Sequence, residues 1–368
     1  MELYRMELYK LCFRKFFIVL SVVIAGILIL TFGIQVMDEE ATVDGITYTG
    51  YEAVQVNRRI TEEFKGVLTD EKIQQIVEKY GFPQKVEEGW GYFRDANFLN
   101  EFVMNYQTDA YIYDWNDYRA ASVVYRMAET DLGKVMELTG EEIVLEYYKG
   151  WRVFFTILQF GMILGSILVI LTISPLFANE SQINMLPLLF TTKEGLERDI
   201  TVKIQAAFTV SFGIWLGIFL LDLLLCGIVY GFDGLACYNG MALGYLLPWP
   251  ERMIPLSNYM MMVVLLCFLG VLSLCAITMC ISSHCKTTFH AVSATAICWG
   301  APILIQLFSG FSGIGKLLTA APVFMVISEA FDDCYDFWLM PAGIAVLVML
   351  FCVCRVRWRY RILINACQ

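Results

Sequence analysis

The sequence predicts an all-α integral membrane protein, and three observations carry that prediction. Of 368 residues, 58% are apolar and 17% charged, with a mean hydropathy of +0.60, whereas a soluble domain holds nearer ~45–50% apolar residues. Six apolar runs approach or exceed the ~20 residues that a helix needs to cross a hydrocarbon core. Decamers of alternating polarity, the mark of a membrane barrel, do not occur, so the spans must satisfy their backbone groups as helices.

The elements follow in order. Residues 1–15, within "MELYRMELYKLCFRKFF", mix Leu3, Met6, Leu8 and Leu11 with Arg5, Lys10 and Arg14. That mixture predicts an amphipathic elbow helix on the cytoplasmic leaflet, with a solvated tail as the plain alternative. Span one is 16–37; it is too long for a signal peptide, and no small-residue cleavage site precedes Asp38. An extracytoplasmic domain fills 38–150. Span two covers 151–178, a cytoplasmic loop 179–203, span three 204–232, an outer loop 233–258 and span four 259–283. A short cytoplasmic loop, 284–290, leads to span five at 291–308. The segment 309–336 is apolar but broken by glycines and Pro322, which suggests a re-entrant outer hairpin. Span six is 337–354 and a cytoplasmic tail 355–368.

Lys and Arg set the orientation. They cluster before span one, in 179–203, at Lys286 and after span six, so both termini face the cytoplasm. The other side is acidic: residues 38–149 hold 23 Asp and Glu against 11 Lys and Arg. The overall charge of −10 thus belongs to that domain and does not indicate a nucleic-acid partner.

The domain reads as mainly helical. "YEAVQVNRRITEEFKGVL" and "TDEKIQQIVEKYGFP" space their apolar residues as helices do, and Gly81 and Pro83 stop the second. Thr139 and Glu142 form a capping-box pattern that predicts a helix running on into span two, with Tyr147, Tyr148 and Trp151 at the interface. The aromatic and acidic middle suits buried rings with solvated edges, or a surface for a cationic ligand.

Most of the twelve cysteines fall in or beside spans, where they pack as small apolar groups. Cys237 and Cys334 fall in outer loops, where a disulfide and two separate thiols are both compatible with the sequence. His284 and His290, the only histidines, give no metal-ligand spacing. No catalytic constellation and no G-x-x-x-x-G-K-[ST] phosphate loop is present; "GFSGIGK" at 310–316 lacks the required spacing. The chain therefore carries no cofactor site of its own. Asp222, inside span three, is costly in a membrane and calls for a cavity, a partner or a neutral hydrogen-bonded state.

The loop "NESQINMLPLLFTTKEGLERDITVK", 179–203, is longer than a simple connection and apolar where water would meet it. It resembles the cytoplasmic loop of permease subunits of type-2 ATP-binding-cassette (ABC) exporters. There a Glu after the span is followed by a Gly-Thr pair, leucines, a Thr or Ser, a Gly-Arg turn and a Lys entering the next span. Glu180, Leu186, Leu188, Leu189, Thr191, Thr192, Lys193, Gly195 and Lys203 occupy these places. Asn184-Met185 replaces Gly-Thr, and Leu196 follows Gly195, with the nearest arginine at Arg198. The layout of six spans, elbow and domain after span one is similar to a Gram-positive branch. The resemblance implies a non-catalytic transmembrane half with a coupling helix in this loop. It would pair with a second permease half and a cytosolic ATPase dimer that holds ATP and Mg, and export a peptide such as an antimicrobial peptide, a lipid or a drug. Two other readings remain: a membrane sensor whose acidic domain binds cationic peptides, and a secondary carrier using Asp222.

Overall fold

The apolar runs become helices longer than hydropathy alone marks. The computed structural model describes residues 2–82, 84–85, 93–94, 96–109, 111–112, 118–119, 123–185, 198–243, 253–309, 319–326 and 338–367. Its helices are α1 (Glu2–Cys12), α2 (Lys15–Met37), α3 (Tyr51–Phe64), α4 (Asp70–Tyr80), α5 (Phe98–Gln107), α6 (Asp131–Thr139), α7 (Lys149–Ile173), α8 (Pro175–Gln182), α9 (Arg198–Val229), α10 (Asn239–Leu243), α11 (Leu256–His284), α12 (Thr288–Ser309) and α13 (Leu339–Cys367). Six helical stretches are long and apolar enough to cross a membrane: α2, α7 with α8, α9, α11, α12 and α13. Their outward faces stay greasy. Val22, Leu30, Leu307, Phe308 and Phe351 are all well exposed, which suits hydrocarbon and not water.

Several boundaries move. Span two extends through α8 to Gln182, so Glu180 is helical and not in a loop. Helix α9 begins at Arg198, six residues before the expected start. The early start follows from Asp199 in its first turn, where a carboxylate favours the helix N-terminus. Residues 355–367 of the expected tail continue α13, whose Pro341 sits in the first turn where a missing N–H costs little. Arg355 lies over the Trp358 ring, 4.5 Å from its centroid, one turn further on.

The chain forms two compact units. The first comprises Met1–Leu28, Ile157–Asp222 and Met261–Gln368. Within it, α7 meets α9 closely because Gly161 and Gly165 have no side chain: a Cβ there would come within 2.7 and 2.6 Å of Ile218. Of the broken segment before span six, residues 319–326 are described. They form a buried turn against α11, where the Pro322 carbonyl and Met325 leave room only for Gly270. The rest of that segment, including Cys334, and residues 310–316 lie outside the described residues.

The second unit comprises Ile29–Thr156 and Leu223–Met260, so the outer loop after span three belongs with the residues after span one. Helices α3 and α4 form as their spacing predicts; Thr69 caps α4, accepting from the Lys72 amide, and Gly81 ends it at φ 64°. Thr139, by contrast, closes α6, with Gly140 in the left-handed cap. Instead of a helix running into span two, Val144–Leu145 forms a strand. The strands are β1 (Glu40–Val43), β2 (Ile46–Thr49), β3 (Gly66–Val67), β4 (Gln84–Lys85), β5 (Phe93–Arg94), β6 (Tyr111–Ile112), β7 (Tyr118–Arg119) and β8 (Val144–Leu145). They pair antiparallel as β1–β2, β3–β8, β4–β5 and β6–β7. The first hairpin turns at Asp44-Gly45, both at positive φ, as a two-residue turn requires.

The core of this unit is aromatic. Phe98 stands edge-on to Tyr147 and Tyr148 at 4.9 and 4.8 Å. Lys149 is held between Glu39 (3.1 Å) and Glu101 (3.7 Å). Loop residues 233–241 are stitched in by hydrogen bonds: the Trp151 indole donates to the Asp233 carbonyl (2.7 Å), the Gly234 amide to Glu146 (2.7 Å) and the Tyr106 hydroxyl to the Met241 carbonyl (3.3 Å). Cys237 is fully buried as a free thiol that donates to the Val144 carbonyl at 3.3 Å.

Burial pushes the Cys237 thiol up to about 12 from its ordinary value of 9.0. Because this folded value exceeds the unfolded one, the native state retains the proton longer, and its contribution to stability falls as pH rises from about 9 towards 12. Maleimide labelling of the folded chain at neutral pH should therefore spare Cys237, and peptide mapping should find it modified only after denaturation. Rapid labelling of the native chain would contradict this placement.

Candidate functional site

At the end of the first unit where α8, α9, α11, α12 and α13 carry their basic flanks, the helix ends are locked together by polar side chains. Proline starts the construction. Pro175 has no N–H, so the helix breaks between α7 and α8, and the backbone groups around the break need other partners. Ser282 of α11 supplies them: its Oγ accepts from the amides of Phe177 (3.2 Å) and Ala178 (3.1 Å) and donates to the Ser174 carbonyl (2.6 Å). Gln182 then accepts from the Thr288 amide at the start of α12 (3.2 Å), and the Phe177 ring meets Tyr360 of α13 at 5.3 Å.

Beside this stitch lies the principal electrostatic feature. Lys203 is 2% exposed, yet its amine lies between two carboxylates. It donates to Glu180 of α8 and to Asp199 one turn earlier on α9, each at 2.5 Å, while its Nζ lies 5.9 Å from the centroid of Phe177. One cation thus bridges the two helices that flank residues 183–197. A buried ammonium is tolerated only when paired in this way. The second oxygen of Glu180, Oε2, has no hydrogen-bond partner among the described residues.

Of the sequence-predicted residues, Glu180 and Lys203 are thus brought together. Leu186, Leu188, Leu189, Thr191, Thr192, Lys193 and Gly195 lie outside the described residues. Asp222 is buried inside α9, 1% exposed. His284 accompanies Ser283 at the end of α11, 3.1 Å from its hydroxyl, and His290 lies in the first turn of α12. Among the described residues no group of three metal-ligating side chains assembles. Sequence reasoning missed Ser282 and Asp199. Asp199 was legible as an i,i+4 partner of Lys203; an isolated serine in an apolar helix gave no such signal.

The second unit holds a separate cavity of about 320 Å³ lined by Arg58, Lys65, Glu62, Glu146 and Asp233. Lys65 reaches Asp233 at 3.5 Å and Glu146 at 3.6 Å, and Arg58 reaches Asp233 at 3.1 Å. Burial opposes the Lys65 charge, but Glu146 and Asp233 together hold its ammonium above the usual lysine value. This cavity is an internally neutralised network with no cation or anion in large excess.

Comparison with protein-family models, with curated proteins and with solved structures finds no match to this chain.

Two outcomes follow from the geometry. Lys203→Met leaves Glu180 and Asp199 without their cation and should cost about 3–5 kcal/mol in detergent unfolding; the triple variant with Glu180→Gln and Asp199→Asn should regain most of it. Ser282→Ala should cost about 1–3 kcal/mol, because the α7–α8 break loses its side-chain partner. Amide exchange at Phe177 and Ala178 should quicken in that variant while the α9 amides keep their rates.

Proposed function

We propose that this chain is the transmembrane subunit of an ATP-driven exporter of the type-2 ABC class in a bacterial cell membrane. It works with a second permease half, an identical copy or a paralogue, and with a pair of cytosolic ATPases that bind ATP and Mg. In this reading the chain itself performs no chemistry; it converts ATPase movement into helix movement.

The observation that carries the reading is the Lys203 bridge. The segment that resembles a coupling helix leaves from α8 and returns into α9, and Glu180 and Lys203 tie these two helices at its base. A partner pressing on such a segment would push one rigid corner and not a slack loop. Separating the bridged ends exposes buried charge, which makes their joint motion the cheaper response. The Ser282 stitch extends that corner to α11, and Gln182 extends it to α12.

The proposed orientation places the basic helix ends and α1, as an elbow, at the cytoplasm. Support comes from the contact of α1 with α9: Tyr4 lies 2.8 Å from Thr209, in the half of α9 that begins at Arg198 and carries Lys203. The acidic stretch 38–149 would then be extracytoplasmic, and its excess of carboxylates favours a cationic peptide among the possible cargoes.

The test is co-purification from native membranes in mild detergent, with and without Leu188→Asp plus Leu189→Asp. The expected result is a soluble ATPase that accompanies the unmodified chain and falls by at least about tenfold with the double variant, as loss of an apolar docking anchor predicts. If a well-folded unmodified chain brings no ATPase, the proposal fails.

A further inference from the structure

A second feature of the first unit is independent of the exporter reading. A cavity of about 630 Å³ runs along α2 and α9 beneath α1. Its walls are apolar, with Phe17, Ile24, Leu28, Val210, Ile214 and Leu221 among them. Arg5 of α1 is the one charged residue among the described residues of the lining, and Tyr9 and Thr209 add hydroxyls. The hydrogen bond between Tyr4 and Thr209 fixes α1 across that end.

Length and shape narrow the choice of occupant. The lining descends α2 from Phe17 to Leu28 and α9 from Thr209 to Leu221. At 1.5 Å per residue each path is about 17–18 Å, close to half of a ~30 Å hydrocarbon core. A groove of that length matches one leaflet, and α1, which precedes the first span, closes one end of it. A transmembrane helix from another chain would have to continue past α1, whereas a lipid ends there. The floor is made by Gly213 and Gly217, where an added Cβ would meet nothing within 4 Å. Unlike at Gly161 and Gly165, no helix among the described residues packs against these glycines, and the room they leave is continuous with the groove.

We propose that this groove seats one anionic phospholipid, with its acyl chains along Gly213 and Gly217 and its phosphate at Arg5. Arg14 and Lys15, at the start of the first span, add positive charge at the same end. The lipid would fill a space that otherwise leaves α1 standing off the span it precedes.

The test uses the full chain reconstituted with phosphatidylglycerol and phosphatidylcholine of identical acyl chains, followed by native mass spectrometry. The expected result is one retained phosphatidylglycerol per chain, in preference to phosphatidylcholine. Gly217→Leu should lower retention of that lipid about tenfold, the equivalent of roughly two buried methylenes. Arg5→Gln should lower the phosphatidylglycerol preference about fivefold, as loss of one basic residue at a membrane surface predicts. Circular dichroism and melting should match the unmodified chain in both variants. If Gly217→Leu misfolds, Arg5→Gln decides alone, because it alters only an exposed residue of α1. Equal retention of the two lipids, or unchanged lipid retention in a folded Gly217→Leu chain, overturns the proposal. Conversion of a dimer into a monomer by Gly217→Leu with lipid binding intact also overturns it and makes this face an interface between copies.

Discussion

A buried lysine between two carboxylates sets the terms for the basic end of the bundle. Unpaired, Lys203 would have to lose its proton or draw in water; unpaired carboxylates would face the same demand. Together they allow α8 and α9 to approach where hydropathy alone would have separated them with a loop. The arrangement is exacting, since each partner is tolerable only while the others hold position. That exactness gives specificity of register: Asp199 fixes Lys203 along its own helix, and Glu180 then fixes the neighbouring one. The Pro175 break fits the same logic. It frees backbone groups where α8 must depart from the line of α7, and Ser282 recovers them from another helix.

The spans themselves were legible because hydrocarbon imposes a length and a polarity that few soluble helices meet. Their ends were harder to read. Hydropathy counts Glu180, Asp199 and Lys203 as loop-like, yet ion pairing lets all three continue helices. After the apolar part of span six come four arginines with no helix breaker among them, so α13 continues into the basic region. In the second unit, Thr139 and Glu142 matched a helix start by type and spacing, although Thr139 belongs to the end of α6. Gly140 was the deciding residue, since a left-handed glycine ends a helix more readily than it begins one. The Asp44-Gly45 hairpin was readable from sequence, as that dipeptide between alternating residues demands a tight turn.

Candidate site residues divided by how local their signal is. Glu180 and Lys203 could be singled out from the pattern of the loop because each flanks it. Ser282 acquires meaning only from a proline more than a hundred positions earlier, and nothing nearby marks it. Cys237 is intermediate: its place in an outer segment made a disulfide conceivable, while its burial and hydrogen bond to Val144 belong to a fold that gathers that segment with the residues after span one.

The two glycine pairs show how one spacing can have opposite physical consequences. Gly161 and Gly165 are small because Ile218 occupies the space beside them, so their role is close packing of α7 on α9. Gly213 and Gly217 repeat the spacing on α9 itself, but among the described residues nothing beyond their own stretch of helix comes within 4 Å of where their side chains would begin. In a membrane such a recess does not stay empty of matter, because lipid chains are the solvent there and pack against whatever surface is offered. A flat helix face would exchange them freely. A recess of one-leaflet depth, closed by α1 and edged by Arg5, gives a chain more surface to touch and its headgroup a charge to meet. Ile218 thus packs against α7 and also borders the groove, while the glycines beside it on α9 leave the recess into which a lipid chain fits.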